Sequence, residues 1–378
     1  MSSTAGVEHD ISGVGSRPLS AVWQEQRALV GVVVAYTILV AIGEWALGLS
    51  APLGNVGFAN FYFLFAVAAL SYLLGALLWA RGQMRGPDGR WIASWWAWPL
   101  AWAECRSRCF NRYRLGTAVV ASASILLLLR TFSSWKPLIP LIKPYGELDL
   151  SLMRLDRWIH LGNDPWRLLH PWLGHTSVTL TVDLLYALWL PLNFAVVVWQ
   201  TTISRPADRD QFLLSYALLW IFLGTGAATV LASVGPCYFD RVVDGSNPFQ
   251  PLMAYLGRIH SERGVIALKI QENLWNYYVG REVLPLNGIS AMPSLHVAGA
   301  TLFALAGWRA GPRLGLALSL YGLVILIGSV HLGWHYAVDG YAGALAAVGI
   351  WWGVGLSTRW LSRRGLLRFP QLQNRSRS

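Results

Sequence analysis

Long apolar runs recur along the chain, and they constrain its fold more than any other feature. Runs of roughly 18–25 apolar residues are long enough to cross a bilayer as helices. Charged residues make up only 13% of the chain, about half the fraction usual in soluble domains. The sequence therefore predicts an all-α polytopic membrane protein with about eight transmembrane helices. The predicted spans are residues 28–47, 58–80, 113–132, 176–199, 211–235, 291–308, 314–331 and 336–360.

The lysines and arginines predict how these helices are oriented. If the amino terminus is cytoplasmic, 19 of the 30 Lys and Arg residues fall on segments that stay in the cytoplasm. The most basic stretches, RGQMRGPDGR, ECRSRCFNRYR and RWLSRRGLLR, all lie on that side, as the positive-inside rule requires. The net charge of +11 is then explained by orientation and by contact with anionic lipid headgroups. No nucleic-acid-binding module is present, so a nucleic-acid partner is not expected.

The chain divides into four predicted parts. Residues 1–27 form a cytoplasmic tail, and 28–112 hold two accessory transmembrane helices and a basic cytoplasmic loop. Residues 113–360 form a six-helix core, and 361–378 a basic cytoplasmic tail. Two outer segments of the core mix apolar and charged residues. Residues 147–175 predict a helix in the membrane interface followed by a proline-broken turn, and 248–285 predict one or two amphipathic surface helices that could cover a site.

Two short motifs place ionisable groups at the outer ends of predicted spans. AMPSLHVAG (291–299) contains His296, and GSVHLGWHYAVDGYAG (328–343) contains His335 and Asp339. Ionisable groups near a bilayer are costly and usually functional. His335 and Asp339 are four residues apart at a helix start, so they share one helix face. Asp339 can accept a hydrogen bond from Nδ1 of His335, which leaves Nε2 free to attack phosphorus. His296 could then protonate the leaving oxygen and later activate an incoming hydroxyl.

Two other polar residues receive different interpretations. His331 lies one turn before His335, but a supporting or interfacial role is favoured over catalysis. Asp183 lies within the fourth predicted span, where a structural hydrogen bond is at least as plausible as substrate contact.

The paired motifs MPSLHVA and HYAVD resemble those of the phosphatidic-acid phosphatase type 2 superfamily. The form PSLH is similar to the branch that contains inositol phosphorylceramide synthase. The resemblance covers the chain from about residue 113 onward and implies a six-helix catalytic core. It also implies that His335 is the nucleophile that forms a phosphohistidine, that Asp339 orients it, and that His296 is the general acid and base. The resemblance implies no metal and no other cofactor, and no carboxylate cluster suited to a metal is evident in the sequence.

The sequence departs from simple phosphatases of this superfamily at the motif that clamps the phosphate. KxxxxxxRP is absent, and VGPCYFDRVV (234–243) stands at the corresponding place. A Gly-Pro and aromatic segment at this place is similar to the synthase branch. Guanidinium and ammonium groups nearby are candidates for phosphate contact. The candidate substrate-binding residues are Arg241, Tyr238, Ser294, Lys269 and Arg281.

The sequence thus predicts a lipid phosphotransferase at the outer face of a plasma or inner membrane, or at a lumenal face in a eukaryote. It would move a phospho-headgroup of the phosphoinositol type from a phospholipid donor to a lipid or glycan acceptor. Hydrolysis of a lipid phosphate or polyprenyl diphosphate is the first alternative. A lipid transporter or scaffold without enzymatic activity is the second.

Overall fold

The computed structural model describes residues 19–49, 112–202, 205–280 and 288–364, together with positions 66 and 70. All regular secondary structure in these residues is helical, and no strand occurs among them. Apart from positions 66 and 70, the predicted second span, residues 58–80, lies outside the described residues, as does most of the basic loop that follows it.

Six helical segments in the described ranges are long and apolar enough to cross a membrane. They are Leu19–Ala46, Arg112–Ile142, Thr176–Thr202, Pro206–Val230, Pro312–His331 and Ala337–Leu361. The chain is therefore an all-α polytopic membrane protein. The predicted sixth span differs from these six, because it forms a helix of only 16 residues, Leu295–Ala310. The first helix begins at Leu19, earlier than the predicted start at residue 28, so part of the predicted tail is helical.

The described residues form twelve helices of nine or more residues, labelled α1 to α12 in chain order. α1 to α4 are Leu19–Ala46, Arg112–Trp135, Glu147–Ile159 and Pro165–Leu173. α5 to α8 are Thr176–Ala187, Trp189–Thr202, Pro206–Leu219 and Gln250–Arg263. α9 to α12 are Ile266–Tyr278, Leu295–Ala310, Pro312–His331 and Ala337–Arg363. A π-helical stretch, Trp220–Ala227, continues α7.

The last three helices form the centre of the bundle. α10 and α11 make a helical hairpin, with Gly311 between them and Pro312 as the first residue of α11, where a missing N–H costs nothing. α12 then packs against α10, and α7 packs against both. Because α10 and α12 both begin at one end of the bundle, the two sequence motifs that precede them are brought to the same end.

A buried ion cluster joins α1 to this bundle. Arg209 of α7 donates to Glu25 Oε2 over 2.6 Å and to Asp210 Oδ1 over 2.8 Å, and Gln26 donates to Asp210 Oδ1 over 3.3 Å. Charges inside a membrane protein face the bundle interior and pair with one another. The cluster therefore fixes α1 against α7.

The segments between the spans are helical as well. α3 and α4 occupy the predicted interfacial segment 147–175, and α8 and α9 occupy 248–285. Trp158 and Trp172 are more than three-quarters exposed, and exposed tryptophans are typical of the membrane–water interface. The inward faces of α3 and α9, in contrast, contact the region around the two motifs.

Candidate active site

His335 lies in the tight turn that joins α11 to α12. The backbone N–H groups of Trp334 and His335 both donate to the carbonyl oxygen of Ser329, over 2.9 and 3.1 Å. Gly333 adopts a positive φ of 73° in this turn, a conformation that glycine tolerates best. The turn therefore fixes His335 immediately before α12, with only 6% of the residue exposed.

Asp339 lies one helical turn further on and is fully buried. Its Oδ2 is 3.3 Å from Nδ1 of His335 and accepts the backbone N–H of Tyr336 over 3.1 Å. A proton on Nδ1 would be donated to this carboxylate, which leaves the lone pair on Nε2. Asp339 Oδ1 has no hydrogen-bond partner in the described part of the chain. The pair predicted from the four-residue spacing is thus present in the structure.

His296, in the first turn of α10, lies near His335 and Asp339. Ser294 caps this helix by accepting the N–H of Val297 over 3.4 Å, and its own N–H donates to the backbone oxygen of Asp339 over 3.0 Å. Gly343 makes this approach possible, because a Cβ there would lie 2.5 Å from the Ser294 oxygen. The rings of His296 and His335 end up 6.4 Å apart between centroids.

Aromatic residues enclose the ring of His296. It stacks on Tyr186 at 5.0 Å and lies against Trp189 at 4.4 Å between ring centroids. The ring of Trp334 also stacks on Tyr186, at 6.4 Å between ring centroids. The hydroxyl of Tyr186 and the indole nitrogens of Trp189 and Trp334 are buried and lack a hydrogen-bond partner among the described residues. Buried donors are nearly always satisfied, so these three are candidates to bind oxygen atoms of a substrate.

Two buried aspartates of α3 hold the backbone around this site. Asp149 Oδ1 accepts the N–H groups of Val234 and Gly235 over 3.1 and 3.0 Å, and the hydroxyl of Tyr336 over 3.0 Å. Asp156 accepts the first N–H groups of α12, from Ala337 over 2.7 Å and Val338 over 2.9 Å. Both carboxylates therefore act on the turn that carries His335.

Burial sets the protonation of these two carboxyls. It raises the pKa of Asp149, against the effect of the backbone N–H groups of Gly235 and Val234. It also raises the pKa of Asp156 to about 6, again opposed by N–H groups, those of Ala337 and Val338. Sequence reasoning missed both residues, because an amphipathic helix of unknown depth does not reveal which charged side chains turn inward.

The Gly235–Pro236 turn packs directly against the His335 turn. Cys237 N–H donates to the carbonyl of Gly333 over 2.9 Å, and a Cβ at Gly235 would overlap the carbonyl oxygen of Trp334. A cavity of about 10 Å³ adjoins His335 between these turns and α3, with Asp156, Trp166, Pro236 and Tyr336 in its wall. Its size suits about one water molecule.

Two of the predicted substrate-binding residues, Tyr238 and Arg241, direct their side chains toward α9. Tyr238 donates its hydroxyl to the backbone of Gln271 over 2.7 Å. Arg241 pairs with Glu272 at 3.1 Å and lies over the ring of Trp275. Lys269 is exposed on α9, Arg281 lies outside the described residues, and Ser294 is the cap of α10. Of the four that the structure describes, Ser294 donates a backbone hydrogen bond to the His335–Asp339 motif, and substrate contact by all five stays a prediction.

Lys136 is a cation near the site that sequence reasoning did not single out. It follows α2, its backbone packs against Gly288, and its ammonium group lies 5.8 Å from the ring centroid of Phe132. It is close enough to His296 to interact with it electrostatically. It forms no ion pair with a carboxylate in the described part of the chain. Its position in the sequence did not mark Lys136 as a site residue, since a single lysine after an apolar helix is common.

His331 and Asp183 have structural partners. His331 is fully buried, and its Nε2 lies 2.9 Å from the Thr179 hydroxyl, with His170 and Tyr255 as ring neighbours. Asp183 accepts the N–H groups of Ile266 and Ala267 over 2.6 and 2.9 Å, so it caps α9 from another helix. These contacts agree with the supporting role expected for His331 and with the structural reading of Asp183.

Comparison with known proteins identifies the family. A model of the PAP2 superfamily matches residues 150–353, which is more than half of the chain. The chain belongs to the PAP2 superfamily. The match begins within α3 and includes Asp156, His296, His335 and Asp339, whereas Lys136 and Asp149 precede it. Membership in the PAP2 superfamily supports a lipid function of the phosphatase or phosphotransferase type. No curated protein and no solved structure matches the chain.

Proposed function

We propose that this protein moves a phospho-headgroup, of the phosphoinositol type, from a phospholipid to a hydroxyl of a lipid or glycan. The observation that carries the proposal is the pairing of His335 with Asp339 at 3.3 Å, with a second imidazole, that of His296, at 6.4 Å between ring centroids. One oriented nucleophile and one separate acid–base group are what a two-step transfer requires. The site would face the periplasm or exterior, or an organelle lumen in a eukaryote.

In the first step, Nε2 of His335 attacks the phosphorus of the donor lipid. A P–N bond forms, and the bond from phosphorus to the lipid alcohol breaks with its electron pair on the departing oxygen. Protonated His296 gives that oxygen its proton. Asp339 holds Nδ1–H and stabilises the positive charge that develops on the ring. No metal ion enters this scheme.

In the second step, neutral His296 takes the proton of the acceptor hydroxyl. The acceptor oxygen attacks phosphorus, the P–N bond breaks, and its electron pair returns to Nε2 of His335. His296 is again protonated, so the site is ready for another donor.

Because the KxxxxxxRP motif is absent, other cations and hydrogen-bond donors must stabilise the negative charge on the phosphoryl oxygens. We assign this role to Lys136 and to the donors of Tyr186, Trp189 and Trp334 that surround His296. Their support is that none of the three aromatic donors has a partner in the described part of the chain. Fixed donors in a site that excludes water stabilise charge as it develops.

Hydrolysis is the second candidate, and the small cavity beside His335 favours it. A water there would lie beside Asp156 and His335, which both line the cavity. If water rather than an alcohol attacks the phosphohistidine, the protein is a phosphatase that acts on a lipid phosphate or polyprenyl diphosphate. The Gly235–Pro236 turn, which resembles the synthase branch, favours transfer.

Incubation of the purified protein with labelled phosphatidylinositol, lipid phosphate or polyprenyl diphosphate separates these readings. Each donor is supplied with and without a lipid alcohol, and with a metal chelator. We expect headgroup transfer to the alcohol from phosphatidylinositol, undiminished by the chelator and absent in His335→Ala. The matched control is His175→Ala, an exposed histidine without a side-chain capping bond, which should keep full turnover.

Free phosphate released from monoesters alone would establish the phosphatase reading instead. Unchanged turnover in His335→Ala would rule out both enzymatic schemes. No turnover in any arm, with the wild-type protein folded, would favour a transporter or scaffold.

A further inference from the structure

A second cavity lies at the end of the bundle opposite to His335. It has a volume of about 410 Å³ and opens between the start of α7 and the ends of α10 and α12. Asp339 and Arg359 mark the two ends on α12. Twenty helical residues separate them, which corresponds to roughly 30 Å, the thickness of the hydrocarbon core. The cavity therefore cannot be part of the proposed active site.

Arginine and tryptophan dominate the wall of this cavity. Its chemistry-bearing residues are Arg205, Arg309, Arg359, Trp308, Trp351 and Trp352. Asp208 is the carboxylate that approaches these arginines, at 3.1 Å from Arg205 and 3.6 Å from Arg309. Arg359 forms no ion pair with a carboxylate in the described ranges. In the described part of the chain, three guanidinium groups thus face one carboxylate, so the described wall of the cavity carries an excess of positive charge.

Internal contacts hold the guanidinium of Arg309 in place. Gln211, which is buried, accepts a hydrogen bond from Arg309 Nη2 over 3.2 Å and donates to the backbone of Trp351 over 3.0 Å. The guanidinium also lies 5.8 Å from the ring centroid of Trp351. Gly355 leaves room for Gln211, because a Cβ there would lie 2.7 Å from its amide nitrogen. The positive wall is therefore built by packed groups and not only by flexible surface chains.

The cavity also opens toward the apolar surface of the bundle. Trp308, Trp352 and Leu356 line it and are each more than half exposed. On membrane-spanning helices, exposed apolar side chains face lipid tails. A soluble anion would contact the arginines alone, whereas a phospholipid would contact the arginines with its headgroup and these apolar residues with its acyl chains.

We propose that this cavity binds the phosphate headgroup of an anionic phospholipid, at the membrane face opposite to the proposed active site. Basic pockets between transmembrane helices recognise acidic lipid headgroups in this way. The described residues of the cavity wall include no nucleophile, so we assign the bound lipid no role as a substrate. The proposal does not depend on the reaction proposed for His335.

Native mass spectrometry of the full-length protein in a neutral detergent tests this site. The protein is titrated with phosphatidylglycerol, and the dissociation constant of the first bound lipid is measured. We expect Arg359→Gln to weaken binding about fivefold and the pair Arg309→Gln/Arg359→Gln more than tenfold, in line with the contribution of one basic residue to anionic-lipid binding. The matched control is Arg313→Gln, an exposed arginine at the same end that does not line the cavity and should leave binding unchanged.

Three results would overturn the proposal. Equal binding of phosphatidylcholine would show that the headgroup charge is not recognised. Displacement of the lipid by inorganic phosphate at equal concentration would indicate a site for a free anion. Equal weakening by Arg313→Gln would indicate general surface attraction. Melting temperatures without lipid verify that each variant folds, and His335→Ala should bind the lipid like wild type.

Discussion

The two ends of α10 and α12 differ in how their charged groups are paired and in the size of the cavity beside them. At the histidine end, which carries His296, His335 and Asp339, the carboxylates are buried and most of their oxygens accept N–H or O–H groups. The cavity there measures about 10 Å³. At the arginine end, which carries Arg205, Arg309 and Arg359, the cavity is about 410 Å³, and these three arginines face one carboxylate, that of Asp208, among the described residues.

The functions proposed for the two ends would account for this difference. A nucleophile must be held in one tautomer and one orientation, so polar groups of the protein satisfy one another around it. A headgroup site must instead leave its charges for the ligand. Substitutions at the two ends should therefore affect different measurements.

The largest expected effect is a separation of turnover from lipid binding. His335→Ala should lower turnover by about 10³-fold or more, as for other enzymes that lose their nucleophile, while binding of phosphatidylglycerol stays at the wild-type value. Arg359→Gln should do the reverse and change turnover less than about twofold. Headgroup transfer and lipid binding are measured on the same preparations. Equal loss of turnover in both variants would contradict the division between the two ends.

His296 provides the next test within the histidine end. His296→Ala should lower turnover of the natural donor by about 10²-fold or more, because the leaving alcohol loses its proton donor. A donor analogue with a nitrophenol leaving group needs no such proton, so its first step should be restored to within about tenfold of wild type. His335→Ala should be inactive on both donors. If His296→Ala lowers turnover of both donors equally, His296 is not the general acid.

The hydrogen bonds from α3 to the turn that carries His335 should affect the stability of the fold more than they affect turnover. Asp149→Ala leaves two buried backbone N–H groups and the Tyr336 hydroxyl without an acceptor, which should cost about 3 kcal/mol or more. Tyr336→Phe removes only one of these hydrogen bonds and should cost about 1 kcal/mol. Melting temperatures in detergent measure both. A larger drop for Tyr336→Phe than for Asp149→Ala would show that Asp149 does not hold this backbone.

The last test is a pH dependence that comes from Asp156. Its pKa rises from 3.8 to about 6 in the folded protein, so the folded chain holds a proton that the unfolded chain releases. Stability from this group is therefore present below pH 4 and is lost as the pH rises to about 6, by at most about 3 kcal/mol. The melting temperature of wild type should fall over this range relative to Asp156→Asn. Parallel curves for the two proteins would contradict the raised pKa.

The sequence was most informative where a pattern carries its own geometry. Apolar runs have the length of a bilayer, which predicted the membrane bundle, and four-residue spacing predicted the contact of His335 with Asp339. The prediction that His296 lies near His335 and Asp339 depended only on α10 and α12 beginning at the same end of the bundle. The predicted second span and Arg281 lie outside the described residues.

The remaining site residues could not be predicted, because they are brought in by tertiary packing. Asp149 and Asp156 look like the polar face of an interfacial helix, and Tyr186, Trp189 and Trp334 look like core aromatics. Lys136 is one of several outer cations. The charge count placed the arginines of the opposite end together on one predicted side of the membrane. It did not indicate that α7, α10 and α12 enclose a cavity between them.

The central claim is that His335 forms a covalent phosphohistidine, and trapping that intermediate tests it most directly. The protein is mixed with a donor labelled at phosphorus, quenched in alkali, where a P–N bond to histidine survives, and digested. We expect label on the peptide that contains His335, released by acid, absent from His335→Ala and retained in Arg359→Gln. Turnover without protein-bound label, or label on His335→Ala, would contradict the account.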